Sequence, residues 1–321
     1  MILIDDGSSD KSLELCLKEA KMDERIKVTH TENNGVARAR NLGISKAAGE
    51  FITFIDSDDI VSPQFFEVMI GVALRTGEKI VTCRYYNEEK HDYGSFVKKK
   101  RSNEPKVEII DFKRYRYTNQ YAHTVVWGGV YNSSLIRDMT FATDLFVGED
   151  TYFFAEKLKK VKSLAFVDEV LYFYRYRSDS LAHNKYNEKQ ISEMIAWERV
   201  CLLFADESDD FVNECKTQLG WTCIKNYERA TKSNYSDVDA VKEMHHKVKL
   251  CCKYVLKSKE TSKVKKVYYC AFSLFPALTL KLKSLAKQYI LGKNLCMYDE
   301  AFLLILLCYF SLSKQYRRKN G

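Results

Sequence analysis

Five residues, Phe51-Ile52-Thr53-Phe54-Ile55, run straight into Asp56-Ser57-Asp58-Asp59. The run is apolar except for Thr53 and includes three β-branched residues, so it predicts a strand buried on both faces. Three carboxylates within four residues then end it. Ligands of open α/β sheets bind just beyond the carboxyl ends of strands, which makes this turn the place to look for chemistry. Two aspartates one residue apart reach one hard cation from a single turn. Mg2+ or Mn2+ takes such oxygen ligands and keeps places for water and substrate phosphate. The plainer alternative is an acidic turn ahead of a helix, because Ser62-Pro63 supplies an N-cap and a proline at the first helical position.

The flanking periodicities set the fold class. Ile2-Leu3-Ile4 reads as the end of a strand and Asp5-Asp6-Gly7-Ser8-Ser9-Asp10 as a second acidic turn. A helix follows with Leu13, Cys16, Leu17 and Ala20 on one face. Residues 26–31 read as a strand ending at Asn33-Asn34-Gly35, and residues 36–48 as a helix stopped by Gly49. After the organising strand come a helix over 63–75 and a strand over 79–86. Strands alternating with helices predict an α/β fold with a doubly wound, mostly parallel sheet, both acidic turns at one edge. Residues 87–106 are polar, with Lys98-Lys99-Lys100-Arg101 among them. A solvated loop or a phosphate-facing lid fits there. Further on, a helix is expected over 152–160, a strand pair over 164–176, and helices from 184, with Trp197 and Trp221 in the core.

Charge divides the chain unevenly. Residues 1–241 hold 34 Lys and Arg against 39 Asp and Glu, a net of −5, and residues 242–321 hold 17 against 4, a net of +13. A basic end of this kind suits an anionic partner such as lipid headgroups or nucleic acid. No aromatic platform or nucleic-acid motif accompanies the lysines, so nucleic acid is not the expected partner. Leu282, Leu285, Ala286, Tyr289 and Ile290 share one helical face, with Lys281, Lys283, Lys287 and Lys293 elsewhere, the pattern of a helix lying in a membrane interface. Residues 301–312 are mostly apolar but too few to span a bilayer, and Lys314, Arg317, Arg318 and Lys319 follow. A helical hairpin packed on the main domain is the alternative. Ten cysteines show no CxxC pair, which predicts reduced and mostly buried thiols. The first residues, Met-Ile-Leu-Ile and then acids, lack the pattern of a signal peptide.

Four motifs stand in order: Ile4-Asp5-Asp6-Gly7-Ser8-Ser9-Asp10, Asn33-Asn34-Gly35 with Ala39-Arg40-Asn41-Leu42-Gly43, Asp56-Ser57-Asp58-Asp59, and Gly148-Glu149-Asp150. Together they resemble a family 2 glycosyltransferase with the GT-A fold, of the bacterial capsule, exopolysaccharide and teichoic-acid kind. Tyr174-Arg175-Tyr176-Arg177 with Ser180 resembles a later family element. The resemblance implies a GT-A domain over residues 1–183 and a helical, basic region over 184–321. It also implies a cytoplasmic enzyme, peripheral on the inner face of the cell membrane. That enzyme would move a sugar from a nucleotide diphosphate, most often UDP, to a lipid-linked or polymeric glycan with inversion. A membrane-binding or partner-binding remnant without activity is the alternative.

The resemblance also implies roles. Asp5 and Asp6 would accept hydrogen bonds from base and ribose, and Asn34, Gly35, Arg40 and Asn41 would close over the nucleotide. Asp56 would contact the ribose and help ligate a divalent cation, Mn2+ or Mg2+, held chiefly by Asp58 with Asp59 in support. Asp150 would be the general base, with Glu149 as alternative; either could instead cap a helix beginning at Thr151. Trp127 is either an apolar platform under a sugar or a core residue. Arg175 and Arg177 are candidate holders of diphosphate or acceptor.

Family members carry one more strand and helix ahead of the Asp-Asp-Gly-Ser strand, and that strand is central in their sheet. Here Met1 falls inside the second strand. Five buried apolar side chains at ~1.5–3 kcal/mol each amount to about 7–15 kcal/mol, which rivals the ~5–15 kcal/mol net stability of a domain. The expectation is therefore an upstream start or a broken reading frame.

Overall fold

The computed structural model describes residues 1–86, 93–99, 104–111, 125–175 and 185–291. It divides into two compact units, Met1–Asp206 and Glu207–Gly321. The boundary expected at 183–184 falls on residues outside those described, and the observed division comes later, after helix Ser192–Leu203.

The first unit runs β1 (Ile2–Asp6), α1 (Ser12–Met22), β2 (Lys27–Thr31), α2 (Val36–Lys46), β3 (Phe51–Thr53), β4 (Ile60–Val61), α3 (Phe65–Thr76) and β5 (Ile80–Tyr86). Next come α4 (Tyr93–Lys98), β6 (Val107–Asp111), β7 (Gly129–Asn132), α5 (Ser133–Ile136), α6 (Glu149–Leu158), β8 (Ser163–Phe173) and α7 (Ser192–Leu203). Helix α4 stands inside the stretch expected to be a solvated loop.

Two sheets share this unit. Strands β1 and β2 form a parallel pair of their own, and the other strands form a six-stranded sheet in the order β3-β7-β5-β8-β4, with β6 also on β8. The α/β class stands, but the larger sheet is mixed: β5 and β8 run parallel, and the pairings of β3 and β5 with β7, and of β4 and β6 with β8, are antiparallel. Periodicity reads which face of a strand is buried, not which way its neighbour runs. A second difference concerns 163–173, which is one strand rather than a pair. The polar Asp168-Glu169 reads as a break, yet the ladder on β5 jumps from Cys83–Val167 to Arg84–Val170, so the chain bulges and continues.

The core lies where α3 covers β5 and β8. Phe65, Val68, Met69, Val72, Val81, Cys83, Leu171 and Tyr172 pack there, all buried. The organising strand sits at the end of the sheet's order. Only Phe51–Thr53 is strand, on β7 alone, and Ile55 is exposed, so burial on both faces does not hold. Helix α1 forms as its spacing predicts but buries no residue; Leu15 is 57% and Leu17 47% exposed.

The second unit is helical: α8 (Asp209–Lys232), α9 (Val238–Lys257), α10 (Lys263–Leu274) and α11 (Pro276–Leu291). Trp197, in the first unit, is buried as expected. Trp221 is half-buried, 6.2 Å from Tyr268 and nearly parallel to it. Leu282 of α11 is buried against Ala271, and Lys283 pairs with Glu228 at 2.7 Å. Part of the face read as a membrane face is therefore used inside this unit, while Leu285 remains exposed. The side chains of Ala286, Lys287, Tyr289 and Ile290, and all residues from 292 on, lie outside those described. Among the described residues no helix is long and apolar enough to cross a membrane. Five of the eight described cysteines are buried.

Candidate active site

The acidic turn after β3 is held by β8. Tyr172, near the strand's end, donates its hydroxyl to Asp59 Oδ2 at 2.6 Å and accepts from the backbone N–H of Asp56 at 3.4 Å. The backbone N–H of Arg175 donates to Asp59 Oδ1 at 2.9 Å. Burial raises the Asp59 carboxyl to about 6 despite those two donors, and Asp56 and Asp58 add repulsion.

Arg40 reaches the same turn from α2. Its Nη2 donates to Asp56 Oδ1 at 3.0 Å and its Nη1 to Glu149 Oε1 at 2.7 Å. The guanidinium lies 5.4 Å from the centre of the buried Phe141 ring. Burial works against its charge, but Asp56, Glu149 and Asp150 more than offset this and hold its pKa above the ordinary value. Glu149 and Asp150 stand in the first turn of α6, which begins two residues before the helix start expected at Thr151, and Gly148 is the N-cap. Gly148 has φ +90°, and a Cβ there would come within 2.8 Å of the Ala196 side chain on α7. Desolvation, then the charge of Glu149, pushes the Asp150 carboxyl up to about 7, while Arg40 and the N–H of Thr151 pull it down. A carboxylate poised there accepts a proton near neutrality.

A second network occupies the other end of α2. Asp6 accepts from the backbone N–H groups of Asn34 at 2.9 Å and Gly35 at 2.7 Å, and Gly35 is the helix N-cap. Buried Asp5 lies 2.6 Å from His30 Nδ1; hydrogen bonds from Ser8, then His30, hold its carboxyl below the usual range. Gly7 turns the chain between them at φ +72°, where a Cβ would meet the backbone N of Asn33 at 2.6 Å. A pocket opens here, lined by Asp6, Thr31, Asn34, Arg38, Ala39 and Leu42.

The expected residues thus fall into two groups sharing α2: Asp5, Asp6, Asn34 and Gly35 at its N-terminus, and Arg40, Asp56, Glu149 and Asp150 beyond its first turn. Several assignments change character. Both carboxylate oxygens of Asp6 hold backbone, so it shapes its loop. Asn41 holds the backbone of Phe141 (Nδ2 to O 3.0 Å, N to Oδ1 2.6 Å). Trp127 offers no open platform at 7% exposure; it lies nearly parallel to Tyr172 and Tyr174, with Tyr85 edge-on. Arg175 enters through its main chain, and Arg177 lies outside the described residues. Tyr172, Phe141 and Arg38 were missed by sequence reasoning. Tyr172 looks like any strand aromatic, and only the fold brings it to Asp59.

The fit of a divalent cation rests on three carboxylates. Asp59 has both oxygens engaged, and Asp56 has one bonded to Arg40. Asp58 is half-exposed and makes no hydrogen bond or ion pair among the described residues. No cluster of three ligands forms there among the described residues. One or two carboxylates completed by substrate phosphate and water is the set Mg2+ and Mn2+ take, so Asp58 with the free oxygen of Asp56 fits and Asp59 does not.

Residues 1–138 match the model of glycosyl transferase family 2. The uncharacterized glycosyltransferase EpsJ of Bacillus subtilis is 29% identical over 68% of this chain and 67% of its own length. EpsH of the same organism, also named as a glycosyltransferase, is 29% identical over 65% of the chain and 61% of its own length. The chain thus spans about two-thirds of the length of those relatives. Among solved structures, TarS of S. aureus in complex with UDP-GlcNAc has a TM-score of 0.60 at 14% identity, covering 84% of this chain and 77% of that one. That likeness concerns the fold. Over its first 138 residues, which hold the acidic turns, the chain is similar to glycosyl transferase family 2, and its α/β frame has the GT-A fold.

Proposed function

We propose that this glycosyltransferase transfers a sugar from a nucleoside diphosphate, UDP in the first instance, to a glycan or lipid-linked acceptor of the cell surface, with inversion. The observation that carries this reading is Arg40 joining Asp56 to Glu149 beside Asp150. It draws the acids of β3 and α6 into one site. TarS, the fold relative, is described with UDP and UDP-GlcNAc, which supports UDP as donor nucleotide.

The acceptor hydroxyl oxygen attacks the anomeric carbon as the bond from that carbon to the phosphate oxygen breaks. The hydroxyl proton passes to the Asp150 carboxylate, and the nucleoside diphosphate leaves with the bonding pair. Asp58, with the free oxygen of Asp56, would hold Mn2+ or Mg2+, which neutralises charge on the departing diphosphate when bound. Tyr172 and Asp59 hold the turn that presents Asp58. The loop of Asn34 and Gly35, clasped by Asp6, lies at the pocket proposed for the nucleoside. The basic second unit supports work at the inner face of a membrane, with an anionic or lipid-linked acceptor close by.

Turnover of a panel of UDP-sugars with Mn2+, in the full chain and in Asp58→Ala and Asp150→Asn, tests this. Release of UDP that fails in both variants is the expected result. UDP binding without turnover in any chain would favour a binding-only protein, and no UDP binding at all would overturn the reading.

A further inference from the structure

Asn41 is bound in a way that no donor contact explains. Its amide gives one donor and takes one acceptor from the main chain of a single residue, Phe141, a hundred positions away. Only a primary amide can do both at once: a carboxylate would repel the Phe141 carbonyl, and a hydroxyl is too short to bridge both groups. Phe141 is itself immobilised by the core. It is buried, its ring stacks on Phe153 with centroids 3.6 Å apart, and Phe54 meets it edge-on at 5.4 Å. Its place is therefore set independently of α2.

On the other side of the clasp stands Arg40, the preceding residue of α2. Its guanidinium rests on the same Phe141 ring while it bonds Asp56 and Glu149. One helical residue is ~100° of rotation, so neighbours on a helix present adjacent faces to the same surface. Sliding α2 by a fraction of a turn would withdraw Arg40 from at least one carboxylate. We infer that Asn41 is a positioning residue that contacts no substrate: by gripping the Phe141 backbone it registers α2 on the core and sets Arg40 between Asp56 and Glu149.

The inference deepens the proposed function, but its geometry can be read without turnover. In 15N-labelled full-length protein the Nε–Hε resonance of Arg40, identified by its loss in Arg40→Lys, reports the guanidinium directly. Asn41→Ala shifts or broadens that resonance, lowers turnover of the UDP-sugar by about 10- to 100-fold, and leaves the affinity for UDP little changed. Combined with Arg40→Lys its effect on turnover is less than additive, because both act through one group. Asn41→Asp keeps the acceptor for the Phe141 N–H but sets a carboxylate oxygen against the Phe141 carbonyl in place of the donor, so it also displaces the Arg40 resonance and serves if the alanine variant does not fold. An Arg40 resonance unmoved in both variants overturns the inference. So does a loss of UDP affinity matching the loss of turnover, which would put Asn41 on the nucleotide. If UDP does not bind the unsubstituted chain, the proposed function fails, and the Arg40 resonance still decides the inference.

Discussion

The first fifty residues and the β5–β8 region are built from similar segments and packed very differently. In β5, Ile80, Val81, Thr82 and Cys83 are all buried, and β8 buries Leu164 to Val167 and Leu171 to Phe173. In β1 only Asp5 is buried, Ile2, Leu3 and Ile4 are half-buried, and β2 buries nothing. One region has helix α3 with five buried residues against it; the other has α1 with none. Stability within a fold follows local burial, so the opening layer is expected to open more readily than the core. The acids assigned to the nucleotide stand on that thin layer, and those assigned to the chemistry stand on or beside the core. Arg40 and Asn41 join the two.

The largest expected effect lies on the core side. Asp150→Asn lowers turnover about 10²–10⁴-fold, measured as UDP release. In the unsubstituted protein turnover should climb with pH through about 7, since Asp150 in its proposed role as base must first lose its proton. The stability sign is opposite. A carboxyl raised from 3.8 to about 7 binds more protons folded than unfolded between those values, so folding stability falls as pH rises across that window. Asp150→Asn removes the loss, and its melting temperature should exceed that of the parent at pH 8 but not at pH 4.

Packing gives the next contrast. Phe65→Ala in α3 should cost about 3–5 kcal/mol in denaturant unfolding. Tyr172→Phe, smaller again, should cost about 0.5–1.5 kcal/mol and raise the Asp59 carboxyl further above its value near 6, since the lost hydroxyl favours the charged form. A carbon-13 titration of the Asp59 carboxyl checks the direction. Smallest is Leu15→Ser on exposed α1, expected within about 0.5 kcal/mol. Should Leu15→Ser unfold the chain as readily as Phe65→Ala, the two regions are not unequal and the comparison fails.

Much of this was legible in sequence, and for local reasons. Helix α2 announces itself by Asn33-Asn34-Gly35, and α3 by Ser62-Pro63, although its N-cap is Gln64 and its first residue Phe65, each two positions beyond the cap and proline expected. Gly148-Glu149-Asp150 marks a helix start within two residues. What escaped depended on partners distant in sequence. The bulge that joins the two halves of β8 is a property of its pairing with β5. Trp127 reads equally as platform or core until Tyr172 and Tyr174 are seen against it. Asn41, placed among nucleotide contacts by resemblance, has its partner at Phe141.

By itself the sequence determined the order of elements, the α/β class, the likeness to glycosyl transferase family 2 and the acids proposed for its chemistry, because turn chemistry, periodicity and short motifs are written within a few residues. Tertiary structure alone decided which acids meet. It assigned Asp59 to Tyr172, left Asp58 free of partners among the described residues, and brought Glu149 and Asp56 to one guanidinium. Burial decided the proton affinity of Asp150. A side chain's charge is local, but its desolvation and its neighbours' fields depend on what the fold packs around it.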